Sequence, residues 1–343
     1  MHPIPANLFD LQPGYLNTAS IGLPPAFAAD AVTDAIARWR TGADSAPAFD
    51  EHVARAREAF ATLVDVPATQ VASGASISQL IALVAGSVSD GTRVLAVRDD
   101  FTSVTFPFAA QAYRGVTVTE VEPGKLLSTV DDFDLVAVSA VQSSTGAVLD
   151  LDGLRTAAEA AGVPVLLDVS QAAGWMPLSL AWADWVVGTA YKWLLSPRGA
   201  AWLAVRPDAL ERTRPLAANW YAGKDPWATI YGMPLRLAGD ARRLDLSPAW
   251  FAQVGAAASL PWLVQLDMAA VGEHCAGLAD AVRRGLGLAP AGSAITSLEL
   301  SAERLDRLKA AGVRFSMRAG KARLSFHLYN TSTDVDLVLG ALT

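Results

Sequence analysis

The chain has 343 residues, 52% of them hydrophobic and 18% charged, enough apolar material for one large domain or two unequal ones and too much for a disordered chain. Twenty-seven lysines and arginines against 34 acids leave a net charge of −7, which argues against the basic field that a nucleic-acid partner requires. One cysteine and four histidines exclude an intramolecular disulfide and offer no cluster with metal-ligand spacing, so no metal is expected. The opening residues, Met1 to Pro5, carry neither a basic region nor an apolar run, and no later stretch reaches the ~18 uncharged apolar residues of a spanning helix. The expectation is an unexported, cytoplasmic protein without a membrane partner.

From about residue 70 to 205 short β-branched runs alternate with longer amphipathic ones. Thr92 to Val97 predicts a buried strand, Val116 to Thr119 a second and Asp134 to Val138 a third. Leu151 to Ala161 spaces Leu154, Ala157 and Ala158 along one helical face. Val163 to Asp168, Asp184 to Gly188 and Ala200 to Val205 give further strands. This alternation builds an α/β domain with a mostly parallel central sheet and helices on both faces. Arg214 to Pro248, rich in Pro, Gly and Trp, reads as a long functional loop region. Helical patterns follow over Phe251 to Met268, with a kink at Pro261, and over Val271 to Arg284. Next come Ser297 to Leu300, an amphipathic Ala302 to Ala311, strand-like alternation over Val313 to Met317 and Ala322 to Tyr329, and a helix from Ser332. The expected division is a large domain over 15–250 and a smaller α+β domain formed by 1–14 and 251–343.

In open α/β sheets ligands collect outside the carboxyl ends of strands. Asp168 stands at such an end with Gln171 three residues later, and Lys192 follows the strand Asp184 to Gly188. A carboxylate and a lysine ending nearby strands point to a pyridoxal 5'-phosphate site. That cofactor needs an amine for its Schiff base and an anion beside its pyridine nitrogen, because a protonated ring is the stronger electron sink.

Leu167 to Ala172, with Asp168 and Gln171, and Thr189 to Gly199, with Tyr191 and Lys192, resemble the class V aminotransferase superfamily of fold-type I pyridoxal-phosphate enzymes. That superfamily includes cysteine desulfurases, isopenicillin N epimerase-like proteins, kynureninases and C–S lyases. Tyr15 to Ser20 resembles its N-terminal segment and Arg323 to Thr331 its C-terminal one, so the resemblance spans nearly the whole chain.

The resemblance implies a role for each matching position. Lys192 is the Schiff-base lysine and then the carrier of the Cα proton; Asp168 faces the pyridine nitrogen, and Gln171 and Thr189 also contact the cofactor. Gly74, Ala75 and Ser76, opening a helix near Ile77, form the phosphate cup, with free N–H groups at the helix start and Gly74 admitting the backbone close to the phosphate. Tyr191 reaches the same phosphate, and Ser247, in Arg242 to Pro248, reaches the phosphate of a neighbouring subunit, which implies a homodimer with shared sites. Phe101 stacks on the ring. Gln142 or Ser143 stands where relatives contact the phenolic oxygen. Arg323 holds the substrate α-carboxylate with its planar fork, and Arg314 or Arg318 could read a second acidic group.

Cys275 lies within a helical pattern and reads as a packing residue, while Val313 to Lys321, where desulfurases carry a persulfide cysteine, contains none. The expected activity is therefore β-elimination on an α-amino acid after Cα deprotonation, cleaving the C–S bond of a cysteine-type substrate. Transamination and epimerisation are the alternatives, and a cofactor-free interaction module a more distant one. His327 and the aromatic loop around Trp220 and Tyr221 receive no assigned role.

Overall fold

The computed structural model describes residues 8–343, so the expectation for Met1 to Pro5 lies outside the described residues. Helices α1 (Ala26–Arg40) and α2 (Asp50–Leu63) lead into strand β1 (Val71–Gly74), a short, fully buried run. Then come α3 (Ile77–Ala85), β2 (Arg93–Val97), α4 (Thr102–Ala109), β3 (Thr117–Val121) and β4 (Leu135–Ser139). Helix α5 (Leu151–Ala161) is started by Asp150, whose carboxylate accepts from the Gly153 N–H, and stopped by Gly162 in the left-handed region at φ 65°. Strands β5 (Val165–Asp168), β6 (Trp185–Thr189) and β7 (Ala201–Val205) complete the sheet before the short α6 (Pro207–Arg212).

The seven strands lie in the order β1-β7-β6-β5-β4-β2-β3. All pairs are parallel except those of β7, which runs against both β6 and β1. Strand β1 therefore runs in the direction of β6, and the carboxyl ends of β1, β2, β4, β5 and β6 share one edge. Alternate residues feed opposite cores: Val136, Val138, Val165 and Leu167 join one cluster, Leu135, Ala137 and Leu166 the other. Burying each of these valines and leucines contributes roughly 1.5–3 kcal/mol. Gly188 in β6 leaves room for Phe60, which stacks on Trp202 at 5.0 Å.

Helix α7 (Trp250–Val264) packs on α1 and α2, so the residues just past the expected boundary near 250 contribute Ala252, Ala256 and Leu260 to the large core. The single helix expected over Phe251 to Met268 instead stops at Val264. Helix α8 (Met268–Gly285) leaves at 96° to it. Pro261 stays inside α7, and the break comes where the Asp267 carboxylate takes the Ala269 and Ala270 N–H groups as an N-cap. No single helix among the described residues is long and apolar enough to cross a membrane.

The remainder forms β8 (Ile295–Leu298), α9 (Ala302–Ala310), β9 (Ser316–Arg318), β10 (Lys321–Ser325) and α10 (Ser332–Leu342). Its three strands lie antiparallel in the order β8-β10-β9. The segment after Gly14 is stitched to this small sheet: Tyr15 bridges Arg314, Asn17 bridges Ser325, and Leu16 is buried in the same core.

Candidate active site

The shared carboxyl edge gathers the expected residues. Asp168 ends β5 and Thr189 ends β6, both buried. Three residues on, Lys192 is 6% exposed, and its backbone is clamped. The Gly22 N–H donates to the Tyr191 carbonyl at 2.9 Å, and a Cβ at Gly22 would lie 1.9 Å from the Lys192 carbonyl oxygen, so only glycine fits. Trp193, fully buried, donates from Nε1 to Gln171 Oε1 at 2.7 Å, and its carbonyl is held by His327 Nε2 at 2.9 Å. With the backbone fixed, Lys192 Nζ lies 5.3 Å from the Phe101 ring centroid and 5.5 Å from that of Tyr191.

Burial pulls the Lys192 amine down to about 8, with Asp168 opposing and Arg323, Arg318 and Arg198 assisting. Burial pushes the Asp168 carboxyl up, while Lys192 and the Ser170 N–H, 2.8 Å from its Oδ1, pull it down. The two groups thus favour each other's charged form in a site that otherwise penalises both.

Phe101 stands at the start of α4 and is 43% exposed. Its position is set by Asp100, which accepts from the Phe101 N–H and from both the N–H and the hydroxyl of Ser139 at the end of β4. Ser76 stands at the N-cap of α3 without capping it: its hydroxyl donates to Gln79 Oε1, leaving the N–H groups of the first turn without a side-chain acceptor. Ala75 beside it is half-buried. Gly74 differs from expectation. A Cβ there would lie 2.7 Å from Leu80 Cδ2, so this glycine lets α3 pack down on β1, and the space it frees belongs to Leu80.

Gln171 also differs. Its amide nitrogen donates to the Ala19 carbonyl and to Ser143 Oγ, both at 3.0 Å, and its oxygen accepts from Trp193. Both amide protons are used within the protein, so the side chain acts as a brace between the N-terminal segment, the loop after β4 and the Lys192 backbone.

Arg323, at the centre of the small sheet, is 1% exposed. It donates from Nη1 to the Ser143 carbonyl at 2.7 Å and from Nη2 to Ser20 Oγ at 2.7 Å, while its buried Nε has no partner. No carboxylate pairs with it among the described residues, and burial pulls this guanidinium down to about 10. A buried cation lacking an anion is costly, and a guanidinium so placed can pair with an incoming carboxylate. Ser143 and Ser20, to which the sequence assigned no carboxylate-site role, are the hydroxyls that orient it. Ser20 could have been suspected from its place at the end of the Tyr15 to Ser20 segment.

Other candidates fall elsewhere. His327 lies beyond β10, buried against Trp193, where it holds that residue's carbonyl while Leu324 and Phe326 between it and Arg323 turn into the small core. Cys275 is fully buried, its Sγ 3.9 Å from His327 Nδ1, and burial pushes the thiol up. Arg314 exchanges backbone hydrogen bonds with Gly14 and Leu16. Gln142 is turned to the Arg98 carbonyl. Ser247 is exposed, and the chain before it is anchored to the cup, with Leu246 N–H on the Ser73 carbonyl and Asp245 accepting the Ser73 N–H. Trp220 packs against Tyr221 and Trp227, and the latter two both donate to Asp50. No cluster of metal-binding side chains exists among the described residues.

The arrangement fits the cofactor expected from the resemblance. Lys192 offers a buried amine with no ion pair among the described residues, Asp168 a buried carboxylate, α3 an uncapped N-terminus, Phe101 an open aromatic face, and Arg323 a guanidinium with an orphaned Nε.

Comparison with known proteins agrees. The family described as aminotransferase class-V matches residues 35–299. An uncharacterized aminotransferase, YcbU of Bacillus subtilis, is 26% identical over 82% of this chain and 80% of its own. An isopenicillin N epimerase of Streptomyces clavuligerus is 26% identical over 84% of this chain and 83% of its own. In three dimensions the chain is similar to the apo cysteine desulfurase of Thermococcus onnurineus NA1, with a TM-score of 0.85 at 18% identity, covering 99% of this chain and 97% of that one. It is also similar to the cystine C–S lyase C-DES, solved with cysteine persulfide, with a TM-score of 0.85 at 20% identity, covering 96% and 97%.

Proposed function

The chain belongs to the class V aminotransferase family of pyridoxal 5'-phosphate enzymes, and on that premise we propose that it acts on a cysteine-type α-amino acid by β-elimination, cleaving the C–S bond. Pyridoxal phosphate, when bound, supplies an electron sink conjugated to the amino acid's Cα. In this reading Lys192 holds it covalently, the first turn of α3 with Ala75, Ser76, Thr189 and Tyr191 holds its phosphate, Asp168 keeps a negative charge beside the ring nitrogen, and Phe101 covers one face.

Arg323 binds the α-carboxylate through its planar fork, and Ser143 and Ser20 keep that fork from rotating. With the carboxylate fixed, the Cα–H bond keeps one orientation toward Nζ of Lys192. Held near 8 by burial, this amine accepts the Cα proton more readily than an ordinary lysine and can return it. The products balance as thiol, pyruvate and ammonium from an S-substituted cysteine and one water.

The observation that carries the lyase reading over sulfur transfer to the enzyme is the fate of the sole cysteine. Cys275 is 0% exposed in α8 with its thiol pushed up, and the β9 to β10 turn holds Ala319 and Gly320 but no thiol. Released sulfur therefore leaves with the product. A single buried cysteine also suits a reducing cytoplasm.

The test is the absorption spectrum of the protein with pyridoxal phosphate, for wild type and Lys192→Ala, followed by S-substituted cysteines. A visible Schiff-base band lost in the variant, with pyruvate released by the wild type, is the expected result. Conversion to the pyridoxamine form without pyruvate would replace elimination by transamination.

A further inference from the structure

Around Tyr191 the chain concentrates positive charge that its own acids do not answer. Lys192, Arg198, Arg318 and Arg323 all act on one another or on Tyr191, with Asp168 the opposing carboxylate. None of these three arginines forms an ion pair among the described residues, in a protein whose net charge is −7. Two of the arginines converge. In the β9–β10 hairpin Arg323 stands opposite Ser316 and Arg318 opposite Lys321, so Arg318 is two residues along β9 and on the same face as Arg323. Both guanidinia reach one hydroxyl: Ser20 Oγ accepts from Arg323 Nη2 at 2.7 Å and from Arg318 Nη2 at 3.3 Å, which puts the two nitrogens no more than about 6 Å apart.

A single α-carboxylate does not need both. Arg323 is buried and already oriented by Ser143, whereas Arg318 is exposed at the hairpin end. We propose that Arg318 is a specificity-determining residue that binds a second anionic group on the substrate side chain, so that the substrate class is an α-amino acid with an acidic side-chain terminus. The inference rests on the reading of the site as one for amino acids. A carboxylate on the side chain can take two parallel hydrogen bonds from the Arg318 guanidinium with both partners charged, while its uncharged isostere accepts through a single carbonyl with only the donor charged.

The test is a spectroscopic titration of the cofactor-loaded enzyme with S-carboxymethyl-L-cysteine and its uncharged isostere S-carbamoylmethyl-L-cysteine, for wild type and Arg318→Gln. The expected result is binding of the acid tighter by roughly tenfold or more in wild type, a ratio near one in Arg318→Gln, and little change for the isostere. Equal affinities in wild type, or a variant that weakens both ligands alike because the two arginines share the α-carboxylate, would overturn the proposal and leave the functional reading standing. A spectrum that neither ligand nor L-cysteine perturbs would overturn both. Arg318 is exposed near a turn, and an unchanged circular dichroism spectrum of the variant checks its folding.

Discussion

Lys192 is buried with its amine pulled to about 8, from an ordinary 10.5. Below about 8 the amine is charged both folded and unfolded, and burying it destabilises the protein. Between about 8 and 10.5 the folded chain releases its proton first, so stability rises with pH across that window. The cofactor-free protein should therefore gain up to on the order of 3 kcal/mol on going up through this range, and Lys192→Met should flatten the rise; denaturant titrations at several pH values would measure both. Cofactor capture should follow the same group, its rate increasing with pH through about 8 because the neutral amine is the nucleophile. Gln171 makes a different kind of statement. Its amide ties Ala19, Ser143 and Trp193 together, and Gln171→Ala leaves one buried donor, Trp193 Nε1, and two acceptors, the Ala19 carbonyl and Ser143 Oγ, unpaired. A loss of about 2–3 kcal/mol is expected, accompanied by weaker binding of the substrate carboxylate because Ser143 no longer steadies Arg323.

Among the elements, the edge strand β1 depends on a clamp from a distant part of the chain. Arg57 in α2 makes two bonds to the Asp245 carboxylate, at 3.0 and 2.7 Å, and a third to the Val71 carbonyl, while Asp245 takes the Ser73 N–H. Both partners are buried, so removing one strands the other's charge. Asp245→Ala should cost about 3–5 kcal/mol, and a double-mutant cycle with Arg57→Met should recover part of that loss. The same clamp holds Ser73 to Ser76, so a variant that still folds should retain the phosphate less tightly. Gly22 acts on the other side of the site. Any Cβ there meets the Lys192 carbonyl, and Gly22→Ala should shift the Lys192 backbone, lower the unfolding midpoint and alter the Schiff-base spectrum.

At the scale of the whole molecule, Ser247 is exposed while the residues before it are fixed to β1, and large apolar side chains such as Trp39, Tyr231 and Met233 are 63%, 86% and 84% exposed. We propose a homodimer in which Ser247 completes the partner's phosphate cup. Sedimentation should then give twice the 36.0 kDa chain mass. Mixing Lys192→Ala with Ser247→Ala protein should form heterodimers in which one site carries both lesions and the other neither, restoring part of the activity; additive behaviour of the two variants would count against shared sites.

Much of this was written along the chain. The strands from Thr92 to Val205 follow from apolar, β-branched runs that are buried on both faces except in the edge strand β3, and α5 begins and ends where Asp150 and Gly162 dictate. Lys192, Asp168 and Arg323 stood out as candidates in the sequence because strand ends and an ordered set of motifs mark them. Other features depended on residues far apart in sequence. That Gly74 serves Leu80, that Gln171 is occupied by protein groups, that α7 packs with α1 and α2, and that Arg318 and Arg323 share the hydroxyl of Ser20 all follow from contacts between distant segments. The sequence by itself determined which residues could do the chemistry, since periodicity and local capping act over a few positions. Only the tertiary structure decided which polar groups satisfy one another and which are left for a ligand, because a buried hydrogen bond or charge takes its partner from whatever the fold brings within about 3 Å.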